Sequence, residues 1–426
     1  MCEHMNQRIL SSPGMAKLLA AVMAAMPLTL LANGLRLASQ DGFATARGEA
    51  FVATADNPSA VYYNPAGITQ LKGANIRGGI YGIYYDPTFS PPNSSKTYDN
   101  EDTSAAVPNA FCTYTPEDCP FSFGLGAYSP YGGSISWPQD TGFRAVALKS
   151  SLQYVTINPV AALKLSQHLS IAAGVMVNYA DIELEQGLRP FTQPANFFRF
   201  SGNGWSAGYN LGLLWQPHEK ISLGTTYRSS ATLPFDGKTE FEQQPIVQPT
   251  HLPAKANFEF PWTVVFGVSY RPTPKWNLEF NADYTDWSSF GTVTIHQQGS
   301  PPLGGSQNPL VTLDWEASWM YEFGVTRYFD NGWHASVGYV FNENSVPDSH
   351  YTPLVADLDR HFISIGAGRK GRRFDFDIVY QFGYGPEHKV KDSQPPSISG
   401  VFAGQNADGT YKFISHAIMI SAGWHF

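Results

Sequence analysis

The sequence has little charge, few cysteines and almost no long apolar runs. Charged residues make up 15% of the 426 residues, and the net charge is -8. With no long basic run, this balance argues against a general nucleic-acid binder. The only long apolar run is residues 18–32, directly after Lys17. No later segment could form a transmembrane helix, so a mature chain that enters a membrane must cross it with strands.

The apolar run near the N-terminus has the form of an export signal. A basic residue, a short apolar core and a small residue at its end are typical of a secretory signal peptide. We therefore predict a signal peptide at residues 1–32, with cleavage after Ala32. The alternative is a short membrane helix, but the run is too short to span a bilayer comfortably.

Two of the three cysteines remain after that cleavage. Cys112 and Cys119 flank the short sequence TYTPED. In an exported protein a close pair of this kind predicts a disulfide across a tight turn. We expect no metal site here, because no histidine or second cysteine pair lies nearby.

Aromatic residues (14%) and glycine (39 residues) are plentiful, and from Gly73 onwards apolar and polar residues alternate with a period of two. Successive side chains of a strand point to opposite faces, so each segment has an apolar and a polar face. The outer face of a soluble sandwich would carry the charges. Here acids and amides share a face with glycines, while aromatic rings begin and end the apolar face, which is typical of a barrel in lipid.

About fourteen such strands are joined alternately by short turns and long loops, the asymmetry of outer-membrane barrels. Among the predicted strands are Ile221 to Phe235, Lys255 to Tyr270 and Trp333 to Asn342. We predict an all-β fold: a transmembrane antiparallel β-barrel of about 14 strands over residues 73–426. Residues 33–72 lie between the predicted signal peptide and this barrel. The expected location is the outer membrane of a Gram-negative-type cell, and the expected state is a monomer without a cofactor.

The stretch Asp56 to Thr69, DNPSAVYYNPAGIT, contains two Asn-Pro pairs. Each proline removes a backbone donor and keeps the residue before it away from helix. The stretch is therefore a compact, turn-rich unit between the signal and the barrel. It could be a plug or an ordinary linker.

The N-terminal region NGLRLASQDGFATARGEAFVATADNPSAVYYNPAGIT resembles the start of the FadL/TodX family of outer-membrane transporters for hydrophobic compounds. The closest match is Asn64, Pro65 and Ala66, with Gly48, Ala55 and Asp56 upstream, and the terminal Phe426 also fits the family. The resemblance implies that residues 33–72 form a hatch inside the barrel, with Asn64, Pro65, Ala66 and Gly67 as its motif. It also implies capture of a hydrophobic ligand at the extracellular loops and sideways exit through a gap in the wall. The implied partners are that ligand, outer-membrane lipid and lipopolysaccharide, and the barrel-assembly machinery, with Phe426 as the assembly signal.

In that family the gap lies at a kink in the third strand. The matching place here is Pro130, Tyr131 and Gly132. Pro130 cannot donate a hydrogen bond to a neighbouring strand, and Gly132 with the next glycine lets the backbone bend. The alternative is that Pro130 only ends the strand at the rim, where proline is common.

Family members that carry fatty acids hold the carboxylate with basic lumen side chains near the fifth strand. Here that strand ends in Asp181, Glu183 and Glu185, and the basic residues Arg189 and Arg199 follow in the next loop. The two arginines are candidate carboxylate contacts. The acidic strand favours a neutral hydrocarbon or aromatic cargo over a fatty acid.

The same loop is rich in aromatic residues, which could form a hydrophobic capture surface for the ligand. The alternative is that they pack the loop against its neighbours. The residues are Phe191, Phe197, Phe198 and Phe200.

The sequence gives little support for catalysis or nucleotide binding. No spacing of serine, histidine and acid singles out a nucleophile with its base, so we do not expect an enzyme. No glycine-rich phosphate loop follows a strand and opens a helix. The sequence therefore predicts passive uptake of long-chain fatty acids or aromatic or aliphatic hydrocarbons. The alternatives are a general diffusion porin for small polar solutes and an outer-membrane lipid hydrolase.

Overall fold

Fourteen antiparallel strands form the wall of a closed barrel in the computed structural model, which describes residues 34–188, 193–302, 306–395 and 405–426. The predicted signal peptide, residues 1–32, lies outside the described residues. The strands are β1 Gly73–Ser90, β2 Ser104–Thr115, β3 Phe121–Tyr128 and Gly132–Ser136, β4 Lys149–Lys164, β5 Leu169–Gly187, β6 Phe197–His218, β7 Ile221–Arg228 and Ala231–Gln243, β8 Val247–Phe260 and Thr263–Tyr270, β9 Trp276–Thr285 and Thr292–Gln297, β10 Leu310–Thr312 and Ser318–Tyr328, β11 Trp333–Asn342, β12 Arg360–Lys370, β13 Phe374–Val390, and β14 Gly409–His425. The prediction of an all-β barrel of about fourteen strands is confirmed.

The barrel closes because the first strand pairs on both sides. β1 lies antiparallel to β2 and also to β14, with Asn75 opposite His425 and Ser90 opposite Thr410. Short turns join the strands at one end of the barrel (the short-turn end), and longer connections join them at the other (the loop end). No helix within the described ranges is long and apolar enough to cross a membrane.

Burial alternates along the strands as the sequence pattern predicts. In β14, Phe413 and Ala417 face the lumen and are buried, whereas Ile414 and Ile418 are exposed on the outside. Exposed isoleucines are expected where the outer surface meets lipid. The apolar face therefore points out and the mixed face points in.

Residues 34–72, the lumen segment, lie inside this wall. The segment folds into two short helices, α1 Gly42–Ala46 and α2 Ala60–Tyr63, followed by a 3₁₀ helix at Pro65–Gln70. Further 3₁₀ turns occur outside it at Trp287–Ser289, Asp330–Gly332 and Asp348–His350.

Glycines in the wall let the backbone of the lumen segment approach closely. A Cβ added to Gly338 of β11 would lie 1.9 Å from the amide nitrogen of Gly48. One added to Gly224 of β7 would lie 2.2 Å from the carbonyl oxygen of Val52. Only glycine permits backbone contacts this close.

The predicted disulfide is wrong, because Cys112 is a free thiol. It lies within β2, opposite Leu125 of β3, between two buried residues that face the lumen. Its own side chain therefore points outward. The strand continues past Cys112 to Thr115, so Cys112 is not part of the turn that holds Cys119.

Candidate functional site

At the short-turn end, one glutamate of the wall accepts several hydrogen bonds from the lumen segment. The carboxylate of Glu279 on β9 accepts hydrogen bonds from the amides of Ala53 (2.8 Å) and Thr54 (3.3 Å) and from the Thr54 hydroxyl. The Arg47 guanidinium forms an ion pair with it at 3.2 Å. These groups are all buried, and they pair with one another except for Arg47 Nε and Nη1, which have no hydrogen-bond partner among the described residues.

A second buried network docks α1 on the opposite wall. Asp41 caps α1 by accepting from the amides of Phe43 and Ala44, and it also pairs with Arg77 of β1. Arg77 Nη2 lies 2.6 Å from Asp377 Oδ2 of β13, and His334 Nε2 of β11 lies 2.6 Å from the other oxygen of Asp377. One arginine thus joins the start of the segment to two wall strands.

The motif residues lie between these networks, and the structure explains their chemical types. The Asn64 side chain accepts from the Ala66 amide (3.2 Å) and donates to the carbonyl oxygens of Val52 (2.8 Å) and of Leu213 on β6 (3.0 Å). Pro65 begins the 3₁₀ helix, where a missing amide hydrogen is not needed. A Cβ on Gly67 would lie 2.2 Å from the carbonyl oxygen of Ala55.

The third strand breaks at the predicted kink. Its first segment pairs with β2 only from Ala110 to Tyr114, and its second segment, Gly132–Ser136, pairs with β4. In the part of the chain that the structure describes, β2 residues before Ala110 have no ladder partner on β3. The wall therefore has a gap between β2 and β3 on the loop side of the kink.

The lumen segment occupies the inner side of this kink. The Leu37 amide donates to the Pro130 carbonyl oxygen, and the Gly132 amide donates to the Leu35 carbonyl oxygen, both at 2.8 Å. Arg36 and Tyr131 face each other in this antiparallel bridge. Residues 35–40, which we call the arm, thus supply two of the hydrogen bonds that β2 does not. Further along, the Ser136 amide and carbonyl bond to Asn100 and Glu101 of the connection between β1 and β2.

The arm reaches from the kink to the far wall. Arg36 Nη1 donates to Asp283 Oδ1 (2.6 Å) and to the Thr285 hydroxyl (2.8 Å), and Arg36 Nη2 lies 2.5 Å from Asp283 Oδ2. Asp283 and Thr285 are on β9. This buried bidentate ion pair holds the arm across the lumen.

Two largely apolar cavities adjoin the arm. The empty space in the first, which includes space open to solvent, is about 640 Å³, and that in the second is about 570 Å³. The first is lined by residues that include Arg36, Ile83, Val107, Met320, Phe362 and Phe413. The second is lined by residues that include Leu35, Leu152, Ile182, Phe258, Phe260 and Trp315.

The predicted aromatic capture surface is wrong for Phe198 and Phe200. These residues belong to β6, not to a loop, and both are fully buried facing the lumen, with the Phe198 ring 4.8 Å from that of Phe241. Phe197 faces outward beneath the Arg199 guanidinium. Phe191 lies outside the described residues.

The two arginines predicted to contact a carboxylate do not form a lumen pair. Arg199 is on the outer face of β6, where Nη2 lies 2.6 Å from Glu185 Oε2 of β5 and Nη1 lies 3.6 Å from Glu240 Oε2 of β7. Arg189 lies outside the described residues. Arg199 is therefore paired away from both cavities.

The acidic end of the fifth strand also faces outward. Ile182 and Leu184 line the second cavity, so the residues that alternate with them, Asp181, Glu183 and Glu185, lie on the opposite face. The inner face of this strand is apolar. These acids therefore give no reason to prefer a neutral cargo over a fatty acid.

Several known proteins are similar to this chain. The family model described as outer membrane protein transport protein (OMPP1/FadL/TodX) matches residues 23–423. The long-chain fatty acid transport protein of Escherichia coli is 23% identical over 381 residues, covering 78% of this chain and 83% of that protein. The 47 kDa outer membrane protein of Pasteurella multocida is 25% identical over 381 residues, covering 82% and 86%.

Solved structures share the fold. A FadL homologue of Pseudomonas aeruginosa superposes with a TM-score of 0.78 at 17% identity, covering 92% of this chain and 99% of that one. The toluene transporter TodX of Pseudomonas putida gives a TM-score of 0.71 at 13% identity, covering 93% and 100%. The relatives named for a function are transporters.

Proposed function

Because the chain belongs to the outer membrane protein transport family (OMPP1/FadL/TodX), we propose that it takes up hydrophobic molecules passively across the outer membrane. The cargo class is long-chain fatty acids or aromatic or aliphatic hydrocarbons. One relative is named for long-chain fatty acids and one solved structure for toluene. The driving force is the cargo's own gradient and its partition from water into apolar sites.

The observation that carries this proposal is the pair of largely apolar cavities inside a lumen whose short-turn end is occupied by the buried lumen segment. A water-filled pore for polar solutes would need an open polar channel. Here the segment is buried against the wall, with Ala44, Phe51, Val61 and Ile68 fully buried. The general porin is therefore not favoured.

We propose further that the lumen segment is a hatch and that cargo leaves sideways at the third-strand kink. Support comes from the missing pairing between β2 and β3 and from the arm that covers the gap from inside. In lipid an unpaired backbone group costs several kcal/mol, so a gap of this kind needs compensation or a purpose. Withdrawal of the arm would remove that compensation and open the wall beside the cavities.

Uptake measurements test the function. Cells with and without the protein are given labelled oleic acid or labelled toluene, and we expect protein-dependent uptake of at least one. If neither uptake depends on the protein, the proposal is wrong. Large, steady conductance of the purified protein in planar bilayers would instead indicate a porin, and hydrolysis of a phospholipid or ester would indicate a lipid hydrolase.

Four further expectations stay predictions. They are contact with lipopolysaccharide, the monomeric state, recognition of Phe426 by the barrel-assembly machinery, and the domain boundaries at residues 32 and 72.

A further inference from the structure

The charges at the short-turn end are concentrated on one side of the barrel. From the β8–β9 turn round to the β12–β13 turn, the turns and the outer wall carry seven basic side chains against one acid, Asp330. The seven, which we call the basic arc, are Arg271, Lys275, Arg327, Arg369, Lys370, Arg372 and Arg373. The other side of this end carries three lysines and three acids, namely Lys72, Lys164, Lys220, Glu117, Asp118 and Glu219. One side thus has an excess of six positive charges and the other has none, in a chain whose net charge is -8.

The basic arc is short of counter-ions. Among the residues that the structure describes, only Lys275 of the seven forms an ion pair, with Asp330 at 3.4 Å. Arg369 Nε donates instead to the carbonyl oxygen of Asn331 at 3.2 Å. A surface with this much unbalanced charge of one sign attracts anions.

Arg327 of β10 is the member of the basic arc that lies furthest into the apolar outer face. The residues two positions away on either side, Val325 and Phe329, are both exposed on the outside. Its guanidinium carbon lies 4.8 Å from the centre of the Trp276 ring and 5.9 Å from that of the Phe329 ring. An arginine that faces lipid is tolerated where its charge reaches the head groups or a counter-ion.

A shallow depression separates Arg327 from Arg369, because the side chains between them are small. Ala335 of β11 is opposite Arg327 and also opposite Ala367 of β12. Arg369 lies two residues beyond Ala367 on the same outer face. Strands β10 and β12 are two positions apart, which separates them by about 10 Å. Two long arginine side chains across this depression, which we call the notch, can reach one phosphate.

We propose that the notch binds the phosphate of an anionic phospholipid in the leaflet at the short-turn end, with the acyl chains along the apolar wall. A phosphodiester offers oxygen acceptors to both guanidinium groups, and arginine suits phosphate because its donors form a planar fork. Trp276 is opposite Arg327 and Trp333 is opposite Arg369, and aromatic rings of this kind mark the head-group level. The remaining basic arc favours a head group with net negative charge over a zwitterionic one. The inference goes beyond the proposed function and does not depend on the cargo.

Lipid binding to the purified mature protein in detergent tests this. The protein is titrated with dioleoylphosphatidylglycerol or with dioleoylphosphatidylethanolamine, which has the same chains and no net charge, and bound lipid is counted by native mass spectrometry. We expect the first phosphatidylglycerol to bind at least about tenfold more tightly than the first phosphatidylethanolamine. Glycerol 3-phosphate, which has the charge without the chains, should bind at least about tenfold more weakly than phosphatidylglycerol. Equal binding in either comparison would overturn the inference.

The double variant Arg327→Gln/Arg369→Gln removes the two charges beside the notch. We expect phosphatidylglycerol to bind it about tenfold more weakly than it binds the wild type, and its advantage over phosphatidylethanolamine to be lost. Both side chains lie on the outer face, so the barrel should keep its Tm, which circular dichroism checks. Lys164→Gln/Lys220→Gln is the matched control: it removes two charges from the other side of the same end and should bind phosphatidylglycerol as the wild type does.

The comparison of the two double variants decides where the lipid lies. If both weaken binding equally, the lipid responds to overall charge and the inference is wrong. If neither weakens it, the lipid lies elsewhere, for example in the lumen cavities, and the inference is wrong as well. Ala335→Trp provides a second check, because it fills the notch and removes no charge. It should also weaken phosphatidylglycerol binding about tenfold, and unchanged binding would contradict a site in the notch.

Discussion

The two ends of the lumen are built differently. At the short-turn end, Glu279 receives four groups of the lumen segment, and Arg77 joins Asp41 to Asp377. At the loop end, two largely apolar cavities adjoin the arm. Ion pairs and hydrogen bonds to the wall suit a part that stays closed, whereas largely apolar space suits a part that receives a ligand. The arm is the element between them.

The largest effect should come from fixing the arm to the kink. Arg36 and Tyr131 form a bridge flanked by hydrogen bonds, a geometry that places Cα atoms about 4.5 Å apart and within reach of a disulfide. In the double variant Arg36→Cys/Tyr131→Cys, oxidation should reduce uptake of labelled cargo to nearly the background of cells without the protein. The measurement is uptake before and after a reducing agent.

The reduced double variant is its own control, because it carries the same substitutions without the cross-link. The free thiol Cys112 is changed to serine in all samples to prevent mispairing. Uptake that is unchanged by oxidation, with the cross-link shown to be complete, would mean that cargo passes without movement of the arm.

A smaller effect should come from breaking the closed end. In Glu279→Ala the Arg47 guanidinium remains buried without its ion-pair partner, which costs about 3–5 kcal/mol. We expect the lumen segment to detach from the barrel wall, so that conductance steps appear in planar bilayers. Glu259→Ala, an exposed glutamate of β8, should stay as closed as the wild type. If the Glu279→Ala variant shows no conductance steps, Glu279 is not needed for closure.

Much of the wall could be predicted from the sequence, because lipid enforces strict alternation. β11 was predicted and found at Trp333–Asn342. The outer ends of β7 and β8 were missed: β7 was expected to end at Phe235 but runs to Gln243, and β8 was expected from Lys255 but begins at Val247. Beyond the apolar band a strand needs no apolar face, so its composition resembles a loop.

Less of the site could be predicted. The alternation places Asp283 on the inner face, but nothing in the sequence pairs it with Arg36, 247 residues away. The acids of the fifth strand share one face, as the sequence predicts, but that face points outward and not into the lumen. The residues that alternate with Asp181 line a cavity instead. Contacts between distant segments, and the side to which a two-faced strand end turns, require the folded chain.

The smallest effect concerns pH and one carboxyl group between the two ends. Burial raises the pKa of Glu49 to about 7, although the Tyr63 and Ser39 hydroxyls donate to its carboxylate at 2.6 and 2.9 Å and oppose the rise. A carboxyl whose pKa is raised on docking favours the docked state fully at low pH and loses that contribution as pH rises through about 7. Closure should therefore be weaker at pH 8 than at pH 5 by about 2 kcal/mol. Conductance events in planar bilayers should be more frequent at pH 8, and Glu49→Gln should make their frequency independent of pH over this range. The same frequency at both pH values in the wild type would show that docking does not depend on the charge of Glu49.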